Sequence, residues 1–226
     1  VELQQRQLWH QALGAEALAK QLLIADFKDV ASKSSDRFGE VWDIGRRSPS
    51  DSVGPVLTIR DAQGKINLNS MLMDAGKIDP RRLQLFQQAA SVDDVQPDVL
   101  SELAEWIDAD DELRLGGRES NLWRRGGASA ISVPDLPLSA IAEIRFMPSY
   151  EPKSYLPTDF WVALPESTKV NINTADAGVL QRLRPGITGA QLDAISRRQR
   201  SGGYNDTQAF LNASEGRGFQ GIAELI

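Results

Sequence analysis

A chain of 226 residues that is 41% hydrophobic and 25% charged can bury a sizeable core in one or more packed units, which excludes disorder as the default. Its 25 Lys and Arg against 31 Asp and Glu give a formal charge of -6, which opposes long-range attraction to DNA, RNA or anionic lipid. No run approaches the roughly 20 apolar residues of a spanning helix, no signal-peptide pattern opens the chain, and any anchor is expected to precede Val1.

From Glu2 to Val30 apolar residues recur at helical spacing among Gln, Lys and Glu, which predicts one long amphipathic helix. Its stripe can pack on the rest of the chain or continue into a helix-to-helix contact with a partner. His10, the single histidine, sits in this helix and reads as a surface or interface residue; without cysteine, the usual zinc and thiol chemistries lack ligands.

Between Ser32 and Ser70 the pattern breaks into short segments, with strands expected near Val41–Ile44, Val56–Asp61 and Lys65–Leu68. Asp61-Ala-Gln-Gly64 reads as a hairpin turn. Helices are expected over Asn69–Asp74, Pro80–Ala90 and Pro97–Ile107, with prolines at first-turn positions. Asp108–Ala128, rich in acids and then glycines, reads as an ordered loop, Leu138–Phe146 as a helix and Met147–Pro157 as irregular.

Val170-Asn-Ile-Asn-Thr-Ala175 echoes Ile66-Asn-Leu-Asn-Ser70, each placing a short extended piece before a polar helix cap. Helical patterns over Ala175–Leu183 and Gly189–Arg200, broken by Pro185-Gly186, and a third starting near Asp206 or Thr207 outline a helix-hairpin-helix unit. The amphipathic Gly221–Ile226 carries no terminating signal. Of the five tryptophans, Trp123 and Trp161 fall in irregular segments, where an exposed ring could anchor a partner.

Asp108, Asp110, Glu112 and Glu119 occupy positions one, three, five and twelve of a twelve-residue window, the oxygen-ligand spacing of a calcium loop. Leu113 stands where an EF-hand needs glycine, so the spacing leaves two readings open: another kind of calcium loop, or a solvated acidic turn. Glu102, Glu105 and Asp108 also pair carboxylates in the manner of a glycosidase, but no sugar cleft accompanies them.

Taken in order, Leu13-Gly-Ala-Glu16-Ala, Asp61 with Ile66-Asn-Leu-Asn69, Trp106-Ile-Asp108-Ala-Asp110, Gly116-Gly-Arg-Glu119 and Val170-Asn-Ile-Asn-Thr-Ala175 span nearly the whole chain. This series resembles the minor pseudopilins of the general secretion pathway protein K family of bacterial type II secretion. The resemblance implies an α+β, pilin-like fold: a long N-terminal helix on a small antiparallel sheet, with a large inserted, mainly α domain. The helix and strands would occupy residues 1–68 and the insert 69–226, with the helix-hairpin-helix-like unit at 169–212 and the final pilin strands outside the chain.

It also implies a non-enzymatic subunit at the tip of a periplasmic pseudopilus, anchored in the inner membrane by a segment outside this chain. The subunit would assemble with I- and J-class minor pseudopilins to initiate and cap the filament, and could meet secreted protein substrates. Leu3, Leu8, Leu13, Ala17 and Leu18 of the long helix would offer the partner surface. A structural Ca2+ would be held by Asp108, Asp110 and Glu119, with Glu112 and Asp111 beside them.

The rival reading is a helix-hairpin-helix DNA-binding protein, in which turn amides at Gly186-Ile-Thr-Gly189 meet a phosphate and Arg182, Arg184, Arg197, Arg198 and Arg200 supply charge. The turn is one residue longer than the usual Gly-hydrophobic-Gly, and the net charge opposes it.

Overall fold

The structure, a computed structural model, describes residues 2–29, 36–43, 57–73, 76–110, 133–151, 156–165 and 167–226. A 27-residue helix, α1 (Glu2–Lys28), leads into a mainly helical block. Intrahelical pairs Glu2–Arg6 and Glu16–Lys20, each four residues apart, support α1 along its length. It buries only Asp26, and Ala15, Ala19 and Leu22 are half-buried, so tertiary packing holds little of it.

The block contains the two-residue strands β1 (Ile66–Asn67) and β2 (Trp161–Val162), paired with Ile66 opposite Trp161 and Asn67 opposite Val162. The ladder is parallel, which corrects the expected antiparallel sheet: its strands are joined by a long helical crossover, and a tight hairpin cannot join parallel strands. Ile66, Asn67 and Trp161 are buried and Val162 is half-buried.

Two other strand expectations also change. Phe38–Trp42 turn, and Leu57–Arg60 run extended without a ladder, while Ile44 and Val56 lie outside the described residues. In place of a hairpin turn, Ala62–Gly64 forms a single turn of 3-10 helix, because the Asp61 carboxylate accepts the Gln63 N–H at 2.8 Å.

Helices α2 (Pro80–Ala90) and α3 (Pro97–Ile107) fall where the prolines place them. Asp79 caps α2 by accepting the N–H groups of Arg81 and Arg82 at 2.8 and 3.3 Å. Phe86, Ala89 and Ala90 of α2 meet Leu100, Leu103 and Ala104 of α3 in a core that reaches as far as Leu225 and Ile226. Ile141–Phe146 is a 3-10 helix rather than a full α-helix.

The second part holds α4 (Ala177–Leu183), α5 (Gly189–Arg200) and α6 (Thr207–Asn212). Thr188 and Gln191 form a capping box on α5, and Asp206 accepts the Ala209 N–H at 2.7 Å to cap α6. The Gly221–Ile226 segment folds inward, with the Val170 N–H bonded to the Leu225 carbonyl at 2.7 Å.

The two Asn-rich junctions use the same device. The Asn67 side-chain oxygen accepts the Asn69 N–H, and the Asn69 amide closes on Leu138, accepting its N–H at 2.8 Å and donating to its carbonyl at 3.0 Å. Likewise Asn171 accepts the Asn173 N–H, and Asn173 closes on Tyr204, accepting its N–H at 2.7 Å and donating to its carbonyl at 3.0 Å. Each buried amide thereby satisfies a distant backbone pair that has no strand partner.

A buried ion pair links the two parts. The Arg182 guanidinium of α4 grips the Asp93 carboxylate, with Nε to Oδ2 at 2.7 Å and Nη2 to Oδ1 closer still. The Trp161 indole donates to the same Asp93 Oδ2 at 2.9 Å, and Phe160 stacks against the guanidinium 3.7 Å from its ring centre.

Candidate functional site

Helix α1 exposes large apolar side chains that nothing in the described chain covers. Leu3, Leu8, Leu13 and Leu18 are 80%, 64%, 43% and 49% exposed, and Ala17 is exposed with them. Sequence reasoning did not single out Trp9, Leu23, Ile24 and Phe27 as partner residues, yet they are exposed as well. Their signal was present in the helical spacing; what sequence could not say was which positions the rest of the chain would cover.

The residues after α1 tie it to the second part of the block. Asn171 donates to the Asp36 carbonyl at 2.9 Å, and Arg37 reaches the Gly202 carbonyl at 3.1 Å. Trp42 is buried, and its indole donates to Glu40 at 2.8 Å. Here the carboxylates of Asp26, Asp36 and Glu40 approach within 4.8 Å of one another, a cluster that sequence spacing did not disclose. Burial, then the negative charges of Asp61, Glu40 and Asp26, push the Asp36 carboxyl above its ordinary range.

The expected calcium ligands are only partly placed. Asp108 ends α3, wholly buried, with its N–H on the Ala104 carbonyl at 3.0 Å; Asp110 is half-buried two residues on. Asp111, Glu112 and Glu119 lie outside the described residues. Glu102, Glu105 and Asp108 form a buried acidic row along the last turns of α3.

The glycosidase pairing dissolves in the structure. Glu102 is buried and spent on Ser149, accepting its N–H at 2.8 Å and its hydroxyl at 2.9 Å. Trp161, placed in an irregular segment by the sequence, is buried too, whereas Trp123 lies outside the described residues.

The helix-hairpin-helix outline is present, but its chemistry is inward-looking. Arg182 is consumed by Asp93, and the Arg184 guanidinium lies against Gly218 and 5.7 Å from the centre of the Phe219 ring. Only Arg197, Arg198 and Arg200 of the five arginines are exposed. At the turn, Thr188 accepts the Gln191 N–H and its own N–H goes to the Gln191 side chain, so the start of α5 is engaged in its own cap.

A groove of about 400 Å³ is lined by Lys169–Asn173, Tyr204–Thr207 and Ile226 together with Asp36, Gln63 and Phe210. Tyr204 donates its hydroxyl to Glu215 at 2.9 Å; burial and this carboxylate raise the Tyr204 pKa beyond the physiological range.

Two family models described as type II secretion system protein K match the chain, one over residues 64–166 and the other over 170–226. The type II secretion system protein K of Pseudomonas aeruginosa is 27% identical over 211 residues, covering 89% of this chain and 63% of that protein. The chain therefore spans less than two thirds of that relative's length. A chain in the crystal structure of the GspK-GspI-GspJ complex from the enterotoxigenic Escherichia coli type 2 secretion system shares the fold. It aligns with a TM-score of 0.73 at 23% identity, covering 99% of this chain and 80% of that one.

Proposed function

Because the chain belongs to the type II secretion system protein K family, we propose that it is the minor pseudopilin at the tip of the secretion pseudopilus. It binds and assembles, and it catalyses no reaction. Its partners are the I- and J-class minor pseudopilins, with which it initiates and caps the filament for protein export. The observation that carries this reading is α1 itself: a 27-residue helix with exposed apolar side chains along its length, attached to a block whose own core is complete without it.

Filament subunits must offer surfaces both above and below, and a bulky block on one side stops further stacking, so such a subunit suits a filament's end. Residues 1–68 then act as the filament-facing part and 69–226 as the block, with 169–212 its helix-hairpin-helix-like unit. The block faces the periplasm, where secreted substrates pass; among the described residues no helix is long and apolar enough to cross a membrane. Every match reported above is a secretion protein, so the DNA-binding reading has no support among them.

The test is to mix the chain with purified I- and J-class minor pseudopilins and measure the mass of the product. A hetero-complex is expected, and separate elution of all three at micromolar concentration overturns the reading.

The loop after α3 is proposed to hold a structural Ca2+ through Asp108, Asp110 and Glu119, with Glu112 assisting. The spacing of Asp108, Asp110, Glu112 and Glu119 supports this, since it places hard carboxylate oxygens in the order that calcium loops use. Calcium at a hundredfold excess over its dissociation constant would add about 2.7 kcal/mol to stability. Thermal melts with calcium and with EGTA are expected to differ accordingly, and coincident melts refute the site.

A further inference from the structure

The second part of the block departs from the charge of the whole chain. Residues 167–226 carry seven Lys and Arg against five Asp and Glu, although the full chain has a formal charge of -6. Arg182 is spent on Asp93. Among the described residues no carboxylate lies within ion-pair distance of Arg184, Arg198 or Arg217. Local surplus charge of one sign on a surface selects partners of the other sign.

Arg184 is the fixed member of this group. It caps the C-terminus of α4, and its guanidinium lies against the Gly218 backbone, 5.7 Å from the centre of the Phe219 ring. A Cβ at Gly218 would stand 2.5–2.7 Å from Nε, Cζ and Nη2, and Gly218 has a φ of +90°, so glycine is what makes room for the guanidinium. The side chain is half-buried, and its Nη1 is buried without a hydrogen-bond partner. A guanidinium partly out of water and short of an acceptor costs free energy that an arriving anion would recover.

The neighbouring groups are already engaged. Glu215, the acid closest in sequence to Gly218, accepts the hydroxyls of Tyr204 and Ser214, each at 2.9 Å. The Ile187 N–H goes to the Arg184 carbonyl and the Thr188 N–H to the Gln191 side chain, both at 3.2 Å, while the Gly218 N–H meets the Gln220 side chain at 2.7 Å. The open donor is therefore the guanidinium and not the backbone of the turn. Arg217 is exposed beside Gly218 in the chain, and Arg198 of α5 lies 5.8 Å from the centre of the Tyr204 ring, whose hydroxyl holds Glu215.

We propose that Arg184, flanked by Arg198 and Arg217, anchors a side-chain carboxylate on an acidic stretch of a partner protein. The planar fork of arginine matches a carboxylate in two parallel hydrogen bonds, and partial burial strengthens the pairing over one in open water. The flanking arginines draw the acidic stretch in and hold its neighbouring carboxylates. A nucleic acid fits less well: the chain's net charge repels a long polyanion, and the turn amides that would cradle its phosphate are spent. The site belongs to the block and stands whatever the assembly partners are.

Fluorescein-labelled hexaglutamate, hexaglutamine and a short DNA duplex, titrated against the full chain at low salt and read by anisotropy, test this. Hexaglutamate is expected to bind in a salt-sensitive manner and hexaglutamine not to bind. Arg184→Gln should weaken hexaglutamate at least about tenfold, equivalent to about 1.4 kcal/mol. Arg184→Lys keeps the charge but not the fork and should weaken it at least about threefold; the exposed Arg217→Gln should weaken it about two- to fourfold. Arg60→Gln removes the same charge from an exposed pair with Asp159 in the first part and should stay within about twofold. If Arg184→Gln does not fold, Arg184→Lys and Arg217→Gln decide the matter. No binding of hexaglutamate, or equal weakening by Arg60→Gln and the Arg184 variants, overturns the site. Tighter binding of the duplex, lost in the Arg184 variants, overturns the choice of a carboxylate partner.

Discussion

Replacing Arg182 with alanine should be among the most damaging single changes in the block. Its side chain is 9% exposed and that of Asp93 6%, so the substitution leaves a carboxylate in the interior with only the Trp161 indole to answer it. Removing one partner of a buried pair typically costs about 3–5 kcal/mol, because the surviving charge is stranded. For a chain of this size each kcal/mol moves the midpoint by about 2–4 °C, so the melting temperature should fall by about 6–20 °C. The tie crosses from the part matched by the first family model to the part matched by the second, so both should go in one transition. Urea unfolding of Arg182→Ala, of Asp93→Asn and of the double variant Arg182→Met with Asp93→Asn checks this. The double variant should be more stable than either single one, since no charge is left unanswered. A loss under about 1 kcal/mol in Arg182→Ala, or single losses that simply add, would refute the account.

Two further outcomes follow from the same chemistry. Asn173→Asp keeps the shape and the bond from the Tyr204 N–H but turns a donor into an acceptor against the Tyr204 carbonyl; it should cost at least about 1–3 kcal/mol, read by chemical denaturation, and a neutral result would mean the amide does not hold that segment. Asp36→Asn should raise the melting temperature at pH 7: a carboxyl whose folded pKa lies above its ordinary 3.8 contributes stability that is present at low pH and lost as pH rises through the raised value. That gain should shrink as the melts are repeated toward pH 4, and a gain independent of pH would show that charge crowding is not its cause.

What the sequence disclosed was local. Pro80–Ala90, Pro97–Ile107 and Gly189–Arg200 could be read to their ends, because a proline in the first turn or a Thr-Gln capping box announces itself within four residues. The parallel ladder was illegible, since Ile66 finds its partner in Trp161 nearly a hundred residues away, and two residues of β-branched or aromatic character carry no orientation. Val41 and Trp42 looked like a strand because their composition is that of one; the structure buries Trp42 in a turn instead. The repeated Asn-x-Asn motif was visible, but not that each second Asn closes on a backbone pair, Leu138 in one case and Tyr204 in the other. The apolar residues of α1 were likewise visible, but not that the chain half-buries Ala15, Ala19 and Leu22 and leaves the others exposed.

The block and α1 draw their stability from different sources, and the difference bears on assembly. The block closes a continuous core from Ile66 to Ile226 by itself. Helix α1 buries one residue, carries Gly14 in its interior, and has the exposed i,i+4 ion pairs Glu2–Arg6 and Glu16–Lys20, which add a few tenths of a kcal/mol each. Helices in water owe most of their stability to a packed face, so α1 before assembly is a marginal helix on a stable head.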